Sequence, residues 1–361
     1  MSNKQLRFRA EVIYQEELEQ LYFEDKNSKK PEGWRLSPLR VLTYLMGGTL
    51  SSGFEVSQKY FGNKHLMEVA IATLATDRAL LLFGLPGTAK SWVSEHLSAA
   101  ISGDSSLLIQ GTAGTTEEIM RYGWNYALLL AKGPSEEALV SSPVMKGMQD
   151  GKIVRIEELT RINADVQDAL ITILSEKIIP IPELNTATEA IHGFNIIATA
   201  NNKDKGVNEL SNALKRRFNT VILPPPSSLE EEVTIVQSRL GTLEALSKHL
   251  DADKLSKEIN RVVMLFRELR NGVTHDGRTK LKSPSSTLST AEAISVMQSS
   301  ITMSTYFGEG NLIAEELAPS ILAAVVQEPE QDTRIWNEYL ETIVKHRDYW
   351  HDLYSAFKDF S

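Results

Sequence analysis

The chain has 361 residues, 42% of them apolar and 24% charged, with no cysteine. That length supports two or three domains with cores of their own, and the lack of cysteine excludes disulfides and thiolate-held metals. Thirty-eight lysines and arginines against 47 acids leave a net charge of −9, which argues against generic nucleic-acid binding. No stretch approaches the ~18 continuous apolar residues of a membrane span, and the opening residues lack the apolar core of a secretion signal. The expected class is a cytoplasmic globular protein.

In chain order, residues 1–45 form an N-terminal extension containing the polar stretch 26–33, which reads as a loop. Leu39, Val41, Leu42 and Leu45 predict a short helix, and Leu66, Val69, Ala70 and Leu74 another over 65–76. The apolar run 79–83 predicts a strand, and short apolar segments at 107–109, 153–156, 194–198 and 220–223 predict four more. Strands separated by helices imply an α/β domain, here a parallel five-stranded sheet with helices on both faces. After the third strand, Asn163 is placed as the N-cap of a helix whose Val166, Ala169, Leu170, Ile173 and Leu174 share one face. Pro224-Pro225-Pro226 then closes a domain spanning 46–226.

Beyond the prolines the spacing is helical, through Val233, Val236, Leu240, Val262, Val263, Phe266 and Leu269. Residues 227–328 are therefore expected to form an all-α domain, interrupted by a polar insert over 271–287. The tail, 329–361, carries Trp336, Tyr339, Leu340, Ile343, Tyr349, Trp350, Leu353 and Phe357. So much aromatic surface is expected to pack on the helical domain or on a neighbouring chain.

The chemistry concentrates at Gly84-Leu85-Pro86-Gly87-Thr88-Ala89-Lys90-Ser91, directly after the first strand. A strand, a glycine turn and Lys-Ser opening a helix is the layout of a P-loop. Its backbone N–H groups and the helix N-terminus, through Trp92, would cradle phosphates. Lys90 would reach the β- and γ-phosphates, and the Ser91 hydroxyl would ligate Mg²⁺. Ala89 stands where glycine is usual. The third strand ends in Glu157-Glu158 at the sheet edge where such folds bind ligands. Glu157 would serve Mg²⁺ through its water and Glu158 would polarise the attacking water. Arg155 is anomalous, because that strand position is normally apolar. Asn201, closing the fourth strand, could hold the water or the γ-phosphate. Arg217, or Arg216 as second choice, would reach another subunit's nucleotide, since guanidinium grips phosphate oxygens bidentately.

The order Lys90, Glu158, Asn201, Arg217 resembles the AAA+ ATPases and, among them, the MoxR family. The segments GLPGTAKS, EELTRINADVQDALITILSEK, FNIIATANN and LSNALKRRF carry the likeness. It implies a P-loop NTPase domain and an all-α lid, ATP and Mg²⁺ as cofactors, Glu158 as the water-activating acid, Asn201 as sensor 1 and Arg217 as the arginine finger. It also implies a β-hairpin at 178–191 and a helix-2 insertion over 113–150. The family's sensor-2 arginine has no match in Ser283-Pro284-Ser285-Ser286-Thr287, which leaves Arg270, Arg278 or Lys282 as stand-ins. Members form hexameric rings, act like chaperones on protein clients and often have a von Willebrand factor A domain partner.

Three functions follow in order of preference. The first is a ring-forming Mg²⁺-dependent ATPase that remodels or matures a partner protein. The second is a nucleotide-gated scaffold with little hydrolysis. The third is a nucleic-acid-dependent motor, which the acidic balance disfavours although Lys146, Lys152 and Lys177 could line a pore.

Overall fold

Five apolar segments become the strands β1 (Ala79–Gly84), β2 (Leu108–Gln110), β3 (Ile153–Glu157), β4 (Asn195–Asn201) and β5 (Phe218–Ile222), in spatial order β5-β1-β4-β3-β2. Every pairing is parallel. The computed structural model describes residues 6–201, 208–241, 251–310 and 312–359. The chain divides into two units, one of residues 1–85 and 89–224, the other of residues 225–361 with 86–88.

In the first unit, side chains of a strand alternate between faces, and the two faces have separate cores. Leu80, Leu82, Ile153 and Ile197 face one core; Ala79, Leu81, Val154, Ile156 and Ile196 face the other. The first core is closed by the P-loop helix Lys90–Ser102 through Val93, Leu97 and Ile101. The second is closed by helices Pro143–Asp150 and Ala164–Glu176 through Met145, Met148, Leu170 and Ile173. The αβα sandwich expected from the sequence is present.

Residues assigned to an N-terminal extension do more than precede the sheet. Helix Gln15–Glu24 buries Leu18 and Leu21, and helix Pro38–Met46, capped by the Ser37 hydroxyl, buries Val41, Leu42, Tyr44 and Leu45. These side chains share one core with the β1 and β4 residues, and each is worth roughly 1.5–3 kcal/mol of burial. The helix-2 region is short helices around an antiparallel pair, Tyr122–Trp124 with Leu139–Ser141. The expected hairpin pairs Ile178–Ile181 with Thr186–Glu189. Asn163 does stand at the helix N-cap position, but its side chain does not cap. Its amide instead donates to the Ala113 carbonyl at 3.1 Å.

The second unit is helical: Leu229–Gly241, Ala252–Asn271, Thr290–Phe307, Ala314–Val325, Pro329–Thr342 and His351–Asp359. One core takes residues from all of them. The tail's Trp336, Tyr339, Leu340, Trp350, Leu353 and Phe357 are buried in it, so the aromatic tail packs within its own chain. Tyr349 is the exception and stays exposed. No described helix is long and apolar enough to cross a membrane.

Candidate nucleotide-binding site

The P-loop turns through Gly87 at φ +77° and Ala89 at φ +63°. Left-handed backbone costs an alanine about 1–2 kcal/mol, so the fold keeps that turn although the residue resists it. The helix then starts at Lys90 with no side-chain cap, as an anion-receiving terminus requires. The Lys90 ammonium donates to the carbonyls of Gly84 at 3.1 Å and Leu85 at 2.7 Å. Trp92 turns away from the loop: its indole N–H donates to the Lys59 carbonyl at 3.0 Å and its ring stands 4.2 Å from that of His96.

Glu157 ends β3 and is 4% exposed. Its carboxylate takes hydrogen bonds from Ser91 Oγ (2.6 Å), Thr199 Oγ1 (2.7 Å) and Arg155 (2.9 Å), with Ser94 Oγ at 2.5 Å. Burial pushes its pKa up, but the Arg155 guanidinium and the three hydroxyls outweigh burial and hold it below the ordinary value. An ionised carboxylate beside the P-loop serine is an all-oxygen donor set, which suits Mg²⁺. The buried groups fit that ion, with Ser91 and Glu157 as the residues to hold it.

Glu158 follows in left-handed backbone at φ +56°, a conformation that swings the chain off the strand. Its N–H donates to Thr199 Oγ1 at 3.0 Å, and its half-exposed carboxylate pairs with Arg161 Nε at 2.9 Å. Gly111 packs against this turn; its N–H donates to the Glu157 carbonyl at 2.7 Å. A Cβ on Gly111 would lie 2.5 Å from the Glu158 carbonyl oxygen and 2.8 Å from that of Glu157. Asn201 ends β4 in register with Gly84 of β1. Lys90, Ser91, Glu157, Glu158 and Asn201 thus meet at the carboxyl edge of the sheet, where open α/β sheets bind ligands.

Residues 79–218 match the model of the AAA domain of the dynein-related subfamily, and residues 230–357 match that of the YehL-like AAA+ ATPase C-terminal domain. The protein YehL of Escherichia coli (strain K12) is 39% identical over 355 residues, covering 96% of this chain and 95% of its own length. The chain belongs to the YehL-like AAA+ ATPases. A protein of Staphylococcus aureus (strain USA300) is 28% identical over 150 residues, covering 41% of this chain and 56% of its own. Among solved structures, NtrX from Brucella abortus in complex with ADP aligns at TM-score 0.49 and 13% identity, covering 77% of this chain and 59% of that one.

In this YehL-like chain Arg216 and Arg217 lie apart from the other site residues. They precede Phe218, which pairs with Ala79 at the start of β1, whereas the P-loop leaves the end of that strand. The two ends of β1 are roughly 17 Å apart at 3.3 Å per residue. Arg217 is half-buried, donating to Ser175 Oγ at 2.6 Å and to the Ala213 carbonyl at 2.5 Å. Arg216 has an exposed side chain, and its carbonyl accepts from Arg78.

The sensor-2 stand-ins are all engaged within the helical unit. Arg270 holds the fully buried Glu232 through two N–H groups at 3.1 and 2.7 Å and donates to the Leu288 carbonyl at 2.7 Å. Arg278 pairs with Asp276 at 3.7 Å and Lys282 with Glu338 at 2.8 Å. Of the three lysines expected to line a pore if the chain were a motor, Lys152 pairs with Asp104 at 2.9 Å, and Lys177 donates to the Asp77 carbonyl at 2.8 Å. Lys146 lies in helix Pro143–Asp150.

Sequence reasoning missed Thr199, Ser94, Glu95 and Gly111. The available signal was the helical spacing of Ser91, Ser94, Glu95 and Ser98, an i, i+3, i+4, i+7 polar stripe of which Ser94, Glu95 and Ser98 are buried. That stripe also explains Arg155, whose guanidinium donates to Ser94 Oγ and to the Ser91 carbonyl.

Proposed function

We propose that this chain hydrolyses ATP with Mg²⁺ in a ring of the MoxR kind, homohexameric, and uses the cycle to remodel or mature a protein client, with a von Willebrand factor A domain protein as partner. One observation carries the hydrolytic part: Glu157 is buried, ionised and bonded to the P-loop hydroxyl of Ser91, with Glu158 on the next residue and Asn201 on the adjoining strand. Lys90 and the helix N-terminus would bind the phosphates. Bound Mg²⁺ would neutralise phosphate charge and orient it. Glu158 would take the proton of the attacking water, and Asn201 would hold that water or the γ-phosphate by hydrogen bonds.

Ring assembly is supported by where Arg217 sits. Its own P-loop is about 17 Å away along β1, so as a finger Arg217 would serve a neighbour's nucleotide, and head-to-tail contacts of that kind close most simply as a ring.

The test is steady-state ATPase with sizing in the presence and absence of ATP. Wild type should turn over, and Lys90→Ala, Glu158→Gln and Arg217→Ala should each abolish turnover, while Glu158→Gln still assembles with ATP. The scaffold alternative draws on Arg155 beside Glu157, the Glu158–Arg161 pair and the engaged lid cations. Tight ATP binding with negligible wild-type turnover would decide for it. Stimulation of turnover by DNA or RNA at physiological salt would instead favour the motor.

A further inference from the structure

Arg155 and Glu157 are two residues apart on β3 and share a face of the sheet, the face that meets Ser91, Ser94, Glu95 and Ser98 of the P-loop helix. The buried Arg155 guanidinium has every edge assigned. It donates to Glu157 at 2.9 Å, the Ser91 carbonyl at 3.1 Å, Ser94 Oγ at 3.0 Å and the Ser105 carbonyl at 3.4 Å. Its remaining neighbour is a second buried carboxylate, Glu95, at 4.0 Å. Glu95 is 5% exposed, and the Oε2 that lies 4.0 Å from Arg155 is also the atom that meets the start of the chain. The Glu95 carboxylate accepts from Arg7 at 2.6 Å and from the N–H of Ala10 at 3.2 Å. Four charges therefore alternate in sign from the N-terminal segment to the metal-side carboxylate: Arg7, Glu95, Arg155, Glu157.

We propose that Arg155 is a positioning residue for Glu157, and that Glu95, held by Arg7 and the first helical turn, sets how much of the Arg155 guanidinium Glu157 receives. The N-terminal segment then tunes how tightly the site takes Mg²⁺. The physical reason is competition. A guanidinium at hydrogen-bond distance neutralises the carboxylate that would otherwise attract the cation, and a second carboxylate 4.0 Å away pulls against that pairing. With Glu95 engaged by Arg7, its pull on Arg155 is reduced. Anything that lifts residues 7–10 off Glu95 strengthens that pull and frees Glu157 for the metal. This rests on the assignment of Glu157 as the Mg²⁺-side carboxylate.

The experiment measures binding. The affinity of the full chain for a fluorescent (methylanthraniloyl) ADP is determined with saturating Mg²⁺ and in EDTA, and the ratio reports the metal's contribution. Glu95→Gln should lower the ratio about three- to tenfold, and Arg7→Ala should raise it about two- to threefold, the scale of coupling between neighbouring charges. In the Glu95→Gln background Arg7→Ala should have no further effect, because its route to the site has been cut. Arg155→Lys keeps the charge but loses the planar fork, and should raise the ratio. Arg7 is on the surface, so its variant folds whatever happens to Arg155→Lys. Ratios unchanged in Glu95→Gln and Arg7→Ala, against a clear Mg²⁺ effect in wild type, overturn this proposal alone. A wild-type ratio of one shows that Glu157 does not serve Mg²⁺ and overturns the site assignment with it.

Discussion

Arg270 is one of the three lid cations that could stand in for a sensor-2 arginine, and the structure gives it a different task. Glu232 is fully buried and accepts from Arg267 at 3.0 Å, from both outer nitrogens of Arg270 and from Thr290 Oγ1 at 2.8 Å. Arg270→Ala removes one of the two guanidinium groups and leaves a buried carboxylate half-compensated. Breaking a buried pair costs about 3–5 kcal/mol. Arg267 remains, so the lower figure applies, about 3 kcal/mol. That is about a hundredfold in the folding equilibrium, and roughly 10 °C in the melting of a unit this size. Differential scanning calorimetry of the full chain reads it as a lowered transition. If Arg270→Ala melts within about 2 °C of wild type while its ATP dependence changes, Arg270 is free to serve nucleotide and the structural account is wrong.

Gly111→Ala forces a Cβ against two backbone carbonyls at 2.5 and 2.8 Å and should displace the Glu157–Glu158 turn. The expected result is a turnover loss of about 10²-fold, with nucleotide affinity in EDTA largely kept, since a small misplacement of catalytic groups has that effect. Ala89→Gly relieves the left-handed strain but frees the unfolded chain by a similar amount, so urea midpoints should show a stability change within about 0.5 kcal/mol. For Asp104, burial raises the pKa, but the hydrogen bonds from Ser106 and Lys152 prevail and hold it at about 2, below its ordinary 3.8. A depressed carboxylate stabilises the fold above its unfolded pKa and loses that stabilisation as pH falls from about 4 toward 2. After allowance for solvent screening, Asp104→Asn should cost about 1 kcal/mol at neutral pH. That difference should shrink in urea titrations as the pH drops through 4.

The sheet was legible because each strand is a short apolar run and each connecting helix keeps a 3.6-residue period. The P-loop and the acid pair were legible because their chemistry is contiguous in sequence. What remained hidden depends on contacts across long separations. Apart from Glu157, the hydrogen-bond partners of Arg155 lie 50 to 64 positions away, so the strand's interruption looked like an anomaly when it is the complement of a polar helix face. Residues 10–45 show ordinary amphipathic spacing, which says that they bury a face but not that the face is the sheet's own core. The same holds for the tail, whose aromatic residues announced burial without naming their partner. Asn163 occupies the cap position but spends its amide on Ala113, a choice decided by a loop that no local pattern describes.

The shared core of the N-terminal helices and the sheet bears on how the protein can be divided. A fragment starting at residue 79, where the AAA-domain match begins, would leave Leu80, Leu82, Leu97 and Ile197 without Leu18, Leu21, Val41, Tyr44 and Leu45 above them. The P-loop helix would still lie on that side of the sheet, but the apolar surface left around it would face water, prone to sticking to its own kind. The nucleotide-handling residues occupy a contiguous stretch, but the smallest piece able to hold them in place begins at about the first helix.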